Sequence, residues 1–403
     1  MILQNISYLT GLKIVELALP LFTYPYLIRT LGFEIYGTVI FCTALVSYIT
    51  VLVSFGFEIS EIKDISIHRN DPFKVSEIVS AVILIRLTVA VIVSFALVIT
   101  VVSIFTSYQH RLLYLFSIGI IFNVALSPQF YFLGVEKMKN ISMLTIASNI
   151  IYVFLVFLFV KTPSQFWLIP LFMSLSGLTS SSIGFYIMTR KDLVRLIFPK
   201  IKTCKMIIAN SSPFFLSRLS VLAVSRTNII LLGSFIGYGE VALYDLADKL
   251  VTVMKMPYGI INQVLFPNVS KSKNIKLVIK ILKHLVIIYI LGYTLILFLG
   301  EDIISIIGGN DLIPAKSILN ILGIGALTEL ISVFLGAPLL LVMGYNKIYN
   351  GSIIYGSLFY MVLIIITYTL GIINSHTLAI VSVTTSAYVL LYRYRYCVKY
   401  GLV

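Results

Sequence analysis

The run from Ile78 to Ile104, IVSAVILIRLTVAVIVSFALVITVVSI, decides what kind of chain this is. It carries a single charge, Arg86. It is also longer than the ~20 mostly apolar residues that span the hydrocarbon core of a bilayer as an α-helix. Similar stretches recur on both sides of it. Further candidate spans lie near 9–29, 37–59, 111–134, 141–160, 165–189, 207–235, 240–268, 285–307, 316–343, 348–371 and 376–392. Those near 207–235 and 240–268 are the least apolar, because they contain charges. Composition agrees. Hydrophobic residues make up 59% and charged residues 11%, against roughly 45–50% and about 25% in soluble domains. Mean hydropathy is +1.03. So little polar surface cannot cover a globule in water. A soluble enzyme, a disordered chain and a disulfide-stapled secreted domain are excluded. The fold class is an all-α integral membrane protein with twelve transmembrane helices.

The chain has 30 Lys and Arg against 16 Asp and Glu, a net charge of +14. In a membrane protein this excess points to cytoplasmic loops, membrane lipids and an anionic partner, not to nucleic acid. The connections are short, and the longest are the charged segments 60–77, 190–206 and 269–284. With a cytoplasmic N-terminus, cytoplasmic segments hold 20 of the Lys and Arg, and the opposite side holds four: Arg29, Arg111, Lys161 and Lys316. That asymmetry predicts a multi-pass protein with both termini in the cytoplasm. The start of the chain lacks a basic region and a cleavage signal, so the first span is expected to stay. The three cysteines, Cys42, Cys204 and Cys397, have no metal-ligand spacing and read as unpaired.

The charged break from Arg190 to Lys205 divides the chain into two six-span halves, 1–200 and 201–403. Six spans is an even number, so both halves enter the membrane in the same orientation, and any pseudo-symmetry axis runs along the membrane normal. Gly239-Glu240-Val241-Ala242-Leu243-Tyr244-Asp245 weakly echoes Leu31-Gly32-Phe33-Glu34-Ile35-Tyr36-Gly37. Two such halves suit a transporter whose substrate site is alternately exposed.

The run Pro25-Tyr26-Leu27-Ile28-Arg29-Thr30-Leu31-Gly32, followed by Glu34, Tyr36 and Gly37, resembles the bacterial O-antigen flippases. So do Ser54-Phe55-Gly56-Phe57, Lys63-Asp64-Ile65-Ser66 and, in the second half, Ala242-Leu243-Tyr244-Asp245-Leu246-Ala247-Asp248-Lys249. These Wzx-type proteins form the polysaccharide-transporter branch of the multidrug/oligosaccharidyl-lipid/polysaccharide exporter superfamily. The resemblance spans the chain in length and spacing, and its motifs specify the family better than the substrate. It implies a MATE-like fold. It also implies translocation of an undecaprenyl-pyrophosphate-linked oligosaccharide to the periplasmic leaflet of the inner membrane. The drive would be a coupling ion, H+ or Na+, in place of ATP, and no nucleotide-binding loop occurs. An O-antigen polymerase and a chain-length regulator are implied partners. In the related multidrug exporters the first helix bends near a proline, which makes Pro20 and Pro25 hinge candidates beside the alternative of a static kink. One departure is that Glu58 and Glu61 precede Lys63, which argues against a purely cationic cytoplasmic mouth.

Ionisable residues within spans are costly and usually face a cavity or a partner. Arg86 lies about 12 Å into its span. Arg218 and Arg226 share a broad face of the seventh span. Asp245, Asp248, Lys249, Thr252 and Lys255 form one polar stripe on the eighth. Depth suggests a structural pair of Arg226 with Asp245 or Asp248. Arg218 and Lys255 come nearer the midplane, and Glu329 can neutralise one of them, leaving excess positive charge for a pyrophosphate. The candidate substrate residues are therefore Arg86, Arg218, Lys255, Lys249 and Arg226, although salt bridges and snorkelling are competing readings. Asp245, Asp248, Glu329 and Glu16 are the candidates for charge pairing or ion coupling, with Glu16 one turn from Lys13. Small residues at Ser174, Ser176, Gly177 and 179–182 predict close helix approach. Asn228 and other in-span amides would bond sugars or neighbouring helices. The tail Tyr392-Arg393-Tyr394-Arg395-Tyr396 reads as an interfacial anchor.

An exporter of organic cations would share the fold, but it should carry negative charge in its cavity, whereas the in-span cations outnumber the acids. A membrane polymerase would need a larger periplasmic loop than that near 300–315. Transport of an anionic cargo, without catalysis, is the favoured reading.

Overall fold

The structure, a computed structural model, describes Gly11 and residues 23–403, with Val264, Pro267 and Lys271 described by backbone alone. Most of the first expected span, with Lys13, Glu16 and Pro20, lies outside the described residues. Among those described there is no strand. Ten helical stretches are long and apolar enough to cross a membrane. The eighth expected span is a continuous helix of 35 residues, but it is too polar to rank with those ten.

The chain divides into two compact units, one ending at Leu219 and the other running from Ser220 to Val403. The first contains residues 23–31 (α1), Phe33–Ser54 (α2), Phe57–Ile67 (α3), Pro72–Ile104 (α4), Tyr108–Phe116 (α5), Ile118–Leu126 (α6), Gln129–Gly134 (α7), Met138–Phe159 (α8) and Leu168–Tyr186 (α9). Pro25 sits half-buried in α1. The boundary falls within Ile201–Phe235 (α10). The second unit continues with Tyr238–Ser272 (α11), Ile275–Gly308 (α12), Ala315–Phe334 (α13), Asn346–Thr369 (α14) and Ser375–Lys399 (α15).

Local chemistry sets the ends of these helices. Asp71 caps α4 by accepting from the Phe73 and Lys74 amides, with Pro72 in the first turn, where its missing N–H costs nothing. Asn274 and Asn374 cap α12 and α15 in the same way. The α2–α3 corner is made by Phe55 and Gly56, both at positive φ. Pro128 separates α6 from α7. Pro338 lies in a widened π-helical turn, Leu335–Leu341, at the end of α13. There the Val342 amide reaches back five residues to the Ala337 carbonyl.

The first unit packs Phe57, Ile65, Val79, Val82, Phe130, Phe132 and Met188 into a core. The small residues of α9 do bring helices together. A Cβ on Gly177 would lie 2.5 Å from the Asn123 amide. Ser181 Oγ donates to Asn123 Oδ1 at 2.6 Å, and Ser174 Oγ donates to the Phe116 carbonyl at 2.6 Å. The segment after α9 lies along α4, where the Arg195 and Ile197 amides donate to Ser76 and Ser80. In the second unit, α13 packs against α11, α12 and α15. Gly323 lets the Tyr293 ring approach, and Tyr289 and Tyr293 donate to carbonyls of α13. Outward faces stay apolar: Phe298 is 78% exposed, and Phe95 and Phe154 are similarly uncovered. Lipid can cover such a surface and water cannot.

Candidate functional site

The second unit contains a cavity of about 410 Å3, within the size range of small-molecule sites. α10, α11, α13, α14 and α15 contribute its walls. The polar stripe of α11 brings Asp248 and Lys255 to it, α13 brings Glu329 and Ser332, and α15 brings Ser382, Thr385, Ser386 and Arg393. Lys255 Nζ lies 2.5 Å from Glu329 Oε2. One helical turn from Asp248, the Asp245 carboxylate is ion-paired with Lys249. Asp248 has no hydrogen bond or ion pair among the described residues, although it stands in the field of Lys255, Asp245, Arg226 and Lys249. Arg393 is 7% exposed. Its Nη1 donates to the Ser332 carbonyl at 2.8 Å and its Nε donates to Ser352 Oγ at 2.9 Å, with the guanidinium 5.0 Å over the Tyr349 ring.

A second group of charges lies in the first unit. Arg218 Nη2 is 2.6 Å from Glu58 Oε2, and the arginine side chain is 43% exposed. Arg86 is 1% exposed. Its guanidinium sits over Phe57 and Phe130 at 5.8 and 4.9 Å. Its Nη1 donates to the carbonyls of Val124 and Ser127 at 3.4 and 3.3 Å. Pro128 explains the first of these contacts. Proline at 128 holds Ser127 in extended backbone and ends α6, so the Val124 carbonyl is left without a helical donor. Arg86 supplies the missing donor. Glu61 is fully buried, with Oε1 accepting from Ser211 at 3.5 Å. Glu61 Oε2 and Arg86 Nε and Nη2 have no partner among the described residues.

Several expectations about these residues differ from the geometry. Arg226 pairs with neither Asp245 nor Asp248, because Lys249 lies one turn from Asp245 on the same helix and reaches it first. Arg218 and Lys255 do not share one acid: each has its own, Glu58 and Glu329. Arg86 does not snorkel to an interface, since a broken helix claims its donors. Arg393 is no interfacial anchor: an aromatic and basic tail hid a buried arginine whose partners lie about 40 and 60 residues away in sequence. Asn228 bonds neighbouring helices, donating to Tyr244 Oη and Ser382 Oγ and accepting from Tyr360. Among the described residues no group of His, Cys, Asp or Glu is placed to hold a metal.

Long apolar helices and an apolar outer surface define a multi-pass membrane protein. Its fold is that of two groups of solved structures. The lipid II flippase MurJ in an inward closed conformation matches 96% of this chain and 87% of its own, with a TM-score of 0.76 at 16% identity. An inward-facing MATE multidrug transporter matches 95% and 98%, with a TM-score of 0.71 at 13% identity. In sequence, an Escherichia coli K12 protein described as "Putative O-antigen transporter" is 26% identical over 90% of this chain and 88% of its own. The family described as "Polysaccharide biosynthesis protein" matches residues 2–273, and the chain belongs to that family.

Proposed function

We propose that the chain transports polysaccharide precursors, and that it flips an undecaprenyl-pyrophosphate-linked O-antigen unit from the cytoplasmic to the periplasmic leaflet of the bacterial inner membrane. The reading rests first on the likeness, along nearly the whole chain, to the Escherichia coli K12 protein described as "Putative O-antigen transporter". The MurJ-like fold supports it. Transport, with no bond made or broken, is the work proposed. Alternating access coupled to H+ or Na+ supplies the drive. Arg226 is the cation assigned to the pyrophosphate. It is half-buried and has no ion pair among the described residues, so its planar fork is available to phosphate oxygens. Arg218 is shared with Glu58, and an incoming anion would compete with that carboxylate. The Lys255–Glu329 pair is assigned to coupling, because a proton on Glu329 removes the charge that holds Lys255. Lys249 and Asp245 hold each other and serve α11.

Deletion of the gene, followed by analysis of lipid-linked intermediates, tests the proposal. A single undecaprenyl-linked repeat unit should accumulate on the cytoplasmic side. Unchanged intermediates, with normal surface polysaccharide in a strain lacking other transporters of this family, would discard it.

A further inference from the structure

The cavity of the second unit offers an unusual balance of hydrogen-bonding capacity. Its two cations are engaged, Lys255 with Glu329 and Arg393 with Ser332 and Ser352. Four of its hydroxyls spend their hydrogens on their own helices. Ser225 donates to Leu222, Ser357 to Ile353, Thr385 to Val381 and Ser386 to Ser382. What these oxygens still present to the cavity is lone pairs. The Asp248 carboxylate adds more acceptors, and nothing among the described residues satisfies it. Asp248 is thus an acceptor left without a donor among the described residues, and the formal charge of the cavity balances, with Asp248 and Glu329 against Lys255 and Arg393.

A pyrophosphate brings only acceptors and negative charge, so it would have to displace Glu329 from Lys255 and lie against the Asp248 carboxylate. A cationic ligand brings donors, but three cations, Lys255, Arg226 and Lys249, already stand around Asp248 against one further acid, Asp245. A neutral group rich in O–H donors meets both conditions. We propose that this cavity is a carbohydrate subsite, in which Asp248 accepts hydroxyl hydrogens from a neutral sugar of the cargo while the pyrophosphate binds elsewhere. The inference rests on the flippase reading for its cargo, and it separates recognition of the sugar from recognition of the lipid head.

The test uses the purified full chain in nanodiscs and four probes. These are polyprenyl pyrophosphate without sugar and the same lipid carrying one glucose, one galactose or one N-acetylglucosamine. The wild type should bind at least one glycosylated probe about tenfold more tightly than the bare lipid, the size expected for hydrogen bonds to a charged acceptor. Asp248→Asn should erase most of that preference and leave affinity for the bare lipid within about twofold. Ser386→Ala, on another wall, should narrow the preference too, and it carries the test if Asp248→Asn fails to accumulate. No preference among the four probes in the wild type overturns the subsite. Equal loss for bare and glycosylated lipid in Asp248→Asn also overturns it, and returns the cavity to the pyrophosphate. Tight binding of tetraphenylphosphonium that depends on Asp248 overturns it in favour of a cation site. If the wild type binds none of the four lipids, the flippase reading falls as well.

Discussion

Arg86 is 1% exposed and holds its charge deep within an apolar helix. A charge deep in an apolar span announces a partner, but the partner here is a pair of carbonyls at a helix break, of which that of Val124 is left open ahead of Pro128. Arg86→Met removes donor and charge while keeping an apolar stem. A buried carbonyl without a donor costs about 1–3 kcal/mol, so the thermal midpoint in detergent should fall. Pro128→Ala restores an N–H four positions after Val124. The double variant should therefore lose less than the two single variants added together, with a coupling of about 1 kcal/mol. Strict additivity would refute the assignment. Arg226 behaves oppositely in this account. Arg226→Ala should cut transport with little change in abundance, because no ion pair among the described residues is broken. A fall in abundance matching the fall in transport would make it structural. The Lys255–Glu329 pair was readable from depth along two helices. The Asp245–Lys249 pair was open to the same arithmetic, since their spacing places them one turn apart. Arg393 was beyond reach, because only long-range packing takes it out of a tail that reads as interfacial.

At the scale of elements, apolar length located nearly every helix, while the breaks within them came from backbone chemistry that hydropathy does not register. The second span read as closing near 59, with 60–77 as a connection, whereas α3 runs on to Ile67, and the fourth span read as a single helix. Phe55 and Gly56 at positive φ split the former, and Pro128 splits the latter. Gly56 carries two demands at once. Its φ is +76°, and a Cβ there would lie 2.8 Å from the Phe215 backbone nitrogen of α10. Gly32, between α1 and α2, has a φ of +79° and open space around its Cα. The pair separates strain from crowding. Gly32→Ala should cost about 1 kcal/mol from the left-handed backbone alone. Gly56→Ala should cost that and a further ~1–3 kcal/mol, because a backbone atom cannot step aside as a side-chain tip can. Equal shifts in thermal midpoint would mean that α10 does not approach α3 as closely as described.

For the molecule as a whole, composition was enough to reach the membrane and the helical class, because 59% hydrophobic residues leave no other solvent for the surface. The charged break near 190–206 suggested two halves dividing at 200, whereas the two compact units meet inside α10, between Leu219 and Ser220. Long-range contacts decide that boundary, and a local reading of polarity cannot see them. Orientation rests on a different physical effect: the cost of moving Lys and Arg across the membrane during insertion. Burial of Arg393 takes one cation out of the tail, yet the asymmetry survives, because the basic residues of 190–206 and 269–284 remain. Both termini are therefore predicted to be cytoplasmic. The native cysteines leave labelling simple, since Cys42 and Cys397 are buried and Cys204 is partly covered. In a Cys204→Ser background, Lys276→Cys and Lys161→Cys replace exposed residues on opposite sides of the predicted topology. A membrane-impermeant maleimide added to whole cells should label position 161 and spare 276. Inverted vesicles should reverse the pattern. Labelling of 276 in whole cells would turn the molecule over and place the basic segments in the periplasm. A flippase loading cargo from the cytoplasm would then meet its substrate on the face poorer in positive charge.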